Sequence, residues 1–334
     1  MEPVLLLAHT ESDGALGKPA LEALGAALAL GGPLTIGLVG AQVQTAADQV
    51  SGTGAARFLA VQGEAFAEPR YFTDAAAAEA LCRAADCTVV LAPGTSRWAR
   101  SLPGVAYRLG GRVDTHATGL GTADGAVKVT RWFYRQRMEA VLTRAQRPWV
   151  ILLDPGCVPA WSGTAGSAPV ETIAVEAPAT RTKTAGYRAP QTDEQTIRPD
   201  AKLLFVAGAG WTKKQADGAA HAAEAEKLIL GFLRATQASL GGSKSLVDLS
   251  GEGEAVLRFM THMNQIGQTG ATPRHPKGLS TCCHGEEPHV VGWRFIRERR
   301  AINLDANCGW ARGKADVLYV ADAFAVMREL VRLL

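Results

Sequence analysis

The sequence is short of cysteine, of surplus charge and of uninterrupted apolar runs. Six cysteines in 334 residues are too few for a disulfide scaffold. With 35 basic and 32 acidic residues the formal charge is only +3. That balance excludes the strongly basic surface that binds nucleic acid or an anionic membrane. The most apolar stretch, residues 21–43, is broken by Glu22 and by Gly31-Gly32-Pro33. It reads as a helix and a strand of a globular domain, not as a membrane span. The opening Met1-Glu2-Pro3 has no basic n-region, so no secretory signal is expected and a reducing cytoplasm is the expected compartment. There is no internal repeat, no Gly-x4-Gly-Lys-Ser/Thr loop and no Gly-x-Ser-x-Gly elbow. Phosphate-loop and serine-hydrolase chemistry are thereby removed.

What is present is an ordinary globular composition, 47% apolar and 20% charged, which excludes disordered, collagenous and coiled-coil chains. Glycine is abundant at 36 residues, as in α/β folds that use it on tight strand-to-helix turns. At roughly 150 residues per domain the length fits about two domains. The first half alternates short apolar runs with helical spacing: strands at 4–8, 34–39, 57–61 and 88–92, helices at 18–30, 44–50, 75–85 and 98–109. Thr73-Asp74 offers a cap for the third helix. Continuous apolar strands separated by helices imply a parallel sheet covered on both faces. Strands at 127–134 and 149–153 follow without strong helices between them. Residues 155–199 are rich in Pro, Gly, Ser, Thr and Ala and read as strand fragments and a linker, with a boundary near 190–199. A second domain opens with a strand at 203–207 and a long helix from about 213 to 236. It ends with strands at 301–303 and 317–320 and an amphipathic helix at 322–333, on which Val326, Leu330 and Leu333 mark one face.

Gly208-Ala209-Gly210 lies between a strand and a helix pattern, but the third glycine of a dinucleotide fingerprint is missing, so a plain tight turn is the favoured reading. The densest polar constellation falls between Asn264 and Asp322. Gln265-Ile266-Gly267-Gln268-Thr269-Gly270 sets two amides and a hydroxyl among glycines, a loop that lets backbone and side chains approach a ligand closely. Cys282-Cys283-His284-Gly285-Glu286-Glu287-Pro288-His289, Asn303, Asp305, Asp316 and Asp322 follow. A polar surface loop with capping residues is the alternative. Cys282, Cys283 and Cys308 also permit an iron–sulfur or other metal centre, against which stands the absence of Cys-x2-Cys spacing. Cys82 and Cys87 read as core residues. Arg294, Arg297, Arg299 and Arg300 read as a solvated basic run.

These residues resemble the α subunit of electron transfer flavoproteins. The family's Gln-x-Gly-Gln-Thr-Gly stands here as Gln265 to Gly270. Its Ile-Ser-Gly-Ala-Ile-Gln-His register is filled by Cys283 to His289, and its Ala-Ile-Asn-Lys-Asp by Ala301-Ile302-Asn303-Leu304-Asp305. Its closing Ala-Asp…Asp-Leu pattern corresponds to Ala315-Asp316 and Asp322-Ala323. Its Gly-Ala-Ser-Arg-x-x-Val-Asp corresponds to Gly241-Gly242-Ser243-Lys244-Ser245-Leu246-Val247-Asp248. The opening strand, the helix around 21–29 and Val129-Thr130-Arg131 extend the likeness to nearly the whole chain.

The resemblance implies an α/β chain of two domains. Residues 1–190 form a parallel-sheet, nucleotide-hydrolase-like α/β domain with late strands and a linker, and residues 200–334 a Rossmann-like domain that binds FAD. It implies a heterodimer with an electron transfer flavoprotein β subunit, which holds AMP or a second FAD. The complex is an electron carrier rather than an enzyme with its own turnover, and it is not membrane-embedded. It takes electrons from a flavin-dependent dehydrogenase and passes them to an acceptor such as a quinone reductase. Carried over by position, Thr269 bonds near flavin N5 and His289 approaches the pyrimidine carbonyl side. Gln265, Gln268 and Ser243 lie along the cofactor, and His284 joins them at the ring or the phosphates. Asn303 and Asp322 hold the ribose, phosphate or adenine end. This chain departs from the family at Lys244, where arginine is usual, at His284 for Ser and Pro288 for Gln, and in the acidic Glu286 and Glu287. Such changes could retune the flavin or, at the extreme, leave a scaffold subunit with a degenerate flavin site.

Overall fold

The computed structural model describes residues 1–133, 138–179, 182–186, 198, 201–248, 256–261, 264–266, 275–281, 296–307 and 315–334, the side chains of Lys244 and Asp248 excepted. The chain divides into two compact units, Met1–Tyr187 and Arg188–Leu334.

Unit 1 opens with β1 (Val4–His9), α1 (Lys18–Ala29), β2 (Leu34–Gly40), α2 (Gln44–Gln49), β3 (Arg57–Gln62), α3 (Tyr71–Ala85), β4 (Val89–Pro93) and α4 (Ser96–Arg108). It continues with β5 (Arg112–Ala123), β6 (Ala126–Phe133), β7 (Met138–Leu142), β8 (Trp149–Leu153) and the two-residue β9 (Glu171–Thr172). Among the described residues these strands make one nine-stranded sheet in the order β7-β6-β5-β8-β4-β1-β2-β3-β9. Pairing is parallel from β5 through β9, and only the β5-β6 and β6-β7 pairs are antiparallel. The central strands are buried on both faces because every residue of Val4–Ala8 is apolar. Leu6 packs with Leu24, Ile36, Leu91 and Ile151 on one side. Leu5 and Leu7 pack with Leu59, Leu81, Trp98 and Leu102 on the other. This is the signature of a sheet between helical layers.

Two sequence expectations shift here. α3 starts at Tyr71, before the Thr73-Asp74 pair expected to cap it. Asp74 sits inside the first turn, and its carboxylate accepts from the Arg70 N–H at 3.1 Å. Cys82 is in the core as expected, and burial pushes its thiol up to about 12. Cys87 is half-buried, its thiol also raised by burial.

β5 is a long strand with little apolar alternation, and it is pinned by a charge. Asp114 is 1% exposed. Its carboxylate accepts from Arg131 Nη1 at 2.8 Å, Arg144 Nε at 2.7 Å and the Trp149 indole N–H at 2.9 Å. One carboxylate thereby ties β5 to β6, to β8 and to the segment after β7. Burial pushes the Asp114 carboxyl up, but its hydrogen bonds from Arg144, Arg131 and Trp149 together carry it below the ordinary range. A lowered native value stabilises the fold fully above the unfolded value of about 4, and that stabilisation is lost as pH falls through the native value. Asp114→Asn leaves two guanidinium groups facing a neutral amide. It is expected to cost about 3 kcal/mol in denaturant unfolding at pH 7, and to flatten the fall in stability on acidification.

Candidate functional site

Unit 2 contains β10 (Leu203–Ala207), α5 (Ala222–Thr236), β11 (Ser239–Gly242), the short α6 (Lys244–Asp248), β12 (His275–Thr281), β13 (Ile296–Asn303), β14 (Val317–Val320) and α7 (Ala323–Leu333). Its sheet runs β11-β10-β12-β13-β14 with every pair parallel. On the outer edge of β11, Gly242 bridges Gln265 in parallel, and Ile266 N–H donates to the Gly242 carbonyl at 3.1 Å. With that bridge counted, the segments cross the sheet in the order third, second, first, fourth, fifth, sixth. The order reverses between β10 and β12, the place where sheets of this type take their ligands, at the carboxyl ends of the strands.

Several sequence-predicted residues fall at that edge. Ser243 follows β11 directly, Lys244 opens α6, and Gln265 lies on the bridge. Asn303 is the last residue of β13, and Asp322 stands two residues beyond β14. Thr281 ends β12. Gln268, Thr269, His284 and His289, with Cys282, Cys283 and Cys308 of the metal alternative, lie outside the described residues. Among the described residues no group of three His, Cys, Asp or Glu is placed to hold a metal ion.

The local chemistry differs from one position to the next. Ser243 is buried, and its Oγ accepts from Leu246 N–H at 3.2 Å, capping α6. Asp322 caps α7 by accepting from Phe324 N–H at 3.0 Å. Asn303 Oδ1 accepts from Asp305 N–H at 3.0 Å. Asn303 and Asp322 line one small cavity, and Gln215 lines it with them. Gln215 was missed in the sequence because residues 213–221 continue a helical pattern. The helix begins only at Ala222. Residues 214–220 instead form a hairpin, with Lys214 bridged to Ala220 and Gly218 at φ +83° supplying the left-handed turn position.

The Gly208-Ala209-Gly210 turn is a plain turn, as its missing glycine suggested. It runs into a single 3-10 turn, Ala209–Trp211. The Trp211 indole donates to Thr281 Oγ1 at 2.8 Å, and the ring lies 4.6 Å from Phe324. The turn is thus closed by its own tryptophan and presents no helix N-terminus.

Gln265 differs from Ser243, Asn303 and Asp322, the other described candidates. It is 3% exposed, and neither Oε1 nor Nε2 has a hydrogen-bond partner. A buried amide left unpaired costs about 1–3 kcal/mol, a cost that a ligand with matching donors and acceptors removes. Gln265→Leu, similar in volume, is expected to raise the stability of the ligand-free protein by about 1–3 kcal/mol in denaturant unfolding.

Other hollows lie among the described residues. A cleft of about 720 Å³ lies in unit 1 at the ends of β1 and β4, lined by His9, Glu11, Glu68, Thr95 and Arg97 among others. Arg97 is the one cation among its described lining residues, and it is committed elsewhere. Its guanidinium donates to Asp74 Oδ1 at 2.8 and 2.9 Å and to the carbonyls of Phe66 and Ala67. Burial, with Arg97 nearby, lowers the His9 value, so this ring is neutral at pH 7. In unit 2, a mainly apolar groove of about 680 Å³ is lined by Leu203, Phe232, Leu279, Ile302, Val326 and Leu330 among others, and holds none of the predicted residues. No helix among the described residues is long and apolar enough to cross a membrane.

The family model described as the electron transfer flavoprotein domain matches residues 4–178, just over half of the chain and wholly within unit 1. No curated protein matches the chain. Among solved structures, SsfS6, a glycosyltransferase of Streptomyces sp. SF2575, aligns over 100% of this chain and 91% of its own, at 11% identity and a TM-score of 0.26. A score that low supports no inference about fold or function.

Proposed function

Because the chain belongs to the electron transfer flavoprotein family, whose members carry electrons and pair with a partner subunit, we propose that it is the α subunit of such a heterodimer. It holds FAD at the carboxyl edge of the unit 2 sheet. It carries electrons from a flavin-dependent dehydrogenase to an acceptor such as a quinone reductase.

The observation that carries this reading is the unpaired, buried amide of Gln265. It stands beside Gly242 and Ser243 on the edge where parallel strands deliver ligand-binding residues. The residues present fit the group. A flavin dinucleotide needs hydrogen-bonding partners along an extended length. Ser243, Gln265, Asn303 and Asp322 supply a hydroxyl, two amides and a carboxylate, two of them at the β11 end of the sheet edge and two at the β13–β14 end. When bound, FAD supplies reversible acceptance of electrons at its isoalloxazine ring. Gln265 fixes the cofactor through the amide that otherwise goes unbonded. Lys244, at the start of α6, offsets the negative charge that reduction builds on the ring. Thr269 and His289, with Gln268 and His284, complete the ring environment on the pattern of the family.

The test is an absorbance spectrum of the heterodimer co-expressed with its partner subunit, followed by a stepwise reductive titration. Flavin bands with stoichiometric FAD are expected. A colourless preparation would sink the cofactor assignment in favour of a scaffold subunit, and a brown, iron-containing one in favour of the cysteine centre. In a yellow preparation, Lys244→Ala is expected to lower the flavin midpoint potential by on the order of 50 mV, about 1 kcal/mol for a one-electron step. An unchanged titration curve would contradict the role given to Lys244.

A further inference from the structure

The basic run at 294–300 has no part in the function proposed above, and its arginines do not share one fate. Side chains alternate along β13, so Arg299 and Arg300 point to opposite faces of the sheet. Arg299 is spent on Asp316, whose Oδ1 accepts from its guanidinium at 3.0 Å. Arg300 shares its face with Ile302, which packs with Phe232 of α5 and Met327 of α7. It lines the apolar groove of about 680 Å³ on that face. Its Nη1 donates to Tyr319 Oη at 2.9 Å, and among the described residues no carboxylate meets it.

Lys277 and Glu298 also line the groove. They are register partners on β12 and β13, with Nζ and Oε2 3.9 Å apart. Two cations against one anion leave the described lining with a positive charge in excess, and that charge sits on Arg300. The rest of the wall is mainly apolar, as at Leu279, Val326 and Leu330. A hollow of this size holds a whole small ligand, roughly 300–1,000 Å³ being usual. A purely apolar molecule leaves the guanidinium unanswered, and a small hydrophilic anion gains nothing from the apolar wall. A molecule with an apolar tail and an anionic head satisfies both. The unused N–H groups of Arg300 form the planar fork that grips a carboxylate through two hydrogen bonds. Tyr319 Oη accepts from Arg300 and keeps its own O–H to donate to the same carboxylate. Independently of the FAD reading, we propose that this groove binds a free long-chain carboxylate. Its alkyl chain lies along the apolar wall, and its head rests on Arg300 and Tyr319.

The experiment titrates the full chain, purified with its partner subunit, with the fluorescent polyene carboxylate cis-parinarate. The probe is then displaced with dodecanoate, dodecanol or dodecylammonium. Saturable uptake is expected, with dodecanoate displacing the probe about tenfold better than dodecanol and dodecylammonium displacing it worst. Arg300→Gln is expected to make dodecanoate and dodecanol equal, because it removes the charge and leaves the apolar wall. Arg300→Glu should favour dodecylammonium, and it replaces the glutamine variant if that one misfolds. Val326→Phe, which puts a ring into the groove, should weaken uptake at least about tenfold. Wild type without saturable uptake overturns the proposal, the groove then being covered by the partner subunit or by another segment of this chain. Equal displacement by dodecanoate and dodecanol in wild type overturns it, as does a carboxylate preference kept in the Arg300 variants. Uptake unchanged by Val326→Phe places the probe elsewhere and overturns it too. Flavin content, read separately by absorbance, is not at issue in any of these outcomes.

Discussion

A parallel sheet releases all of its chains at one edge, and the functional reading of this protein depends on that constraint. In unit 2 the strands come from residues as far apart as Leu203 and Val320. Because every pair is parallel, the residues after each strand end gather on one rim of the sheet. Ser243, Gln265, Asn303 and Asp322 share that rim for this reason alone. An antiparallel pair anywhere in the set would send one of them to the opposite end. Unit 1 obeys the same rule through most of its sheet, and its cleft likewise lies where β1 and β4 end.

Buried polar groups separate architecture from ligand binding. Asp114 and Asp74 are both removed from water, and each is met by arginine within hydrogen-bonding distance. Their hydrogen-bonding capacity is consumed inside the protein, so they hold strands and helices together and offer nothing further. Arg97 is consumed in the same way, which leaves the unit 1 cleft with carboxylates, hydroxyls and a neutral imidazole but no free positive charge among its described lining residues. Gln265 stands in contrast, buried to the same degree with both amide atoms unpaired. The cost of that arrangement has no structural return in the ligand-free chain, and it falls on the edge where a ligand would be held.

Local geometry at the switch point is unusual for a sheet of this order. The glycine turn after β10 is filled by Trp211 and braced through Thr281 to the neighbouring strand. A phosphate therefore finds no helix N-terminus there.

Much of this was legible in the sequence. Apolar runs of four to six residues between helical stretches determined a parallel α/β architecture, since only strands covered on both faces are apolar throughout. The motif from Gln265 to Gly270 and the spacing of Asn303 and Asp322 named candidates, of which Gln265, Asn303 and Asp322 lie at the carboxyl edge of the unit 2 sheet. Local pattern did not reveal β5, β12 or the hairpin. β5 is held by the charge on Asp114, β12 carries Lys277 beside glycine and serine, and residues 213–221 have helical spacing but no helix. Whether Gln265 finds a partner and whether Arg97 is free are questions of distance between residues remote in the chain. Only tertiary structure decides them, because a hydrogen bond depends on where folding brings two atoms, whatever their separation in sequence.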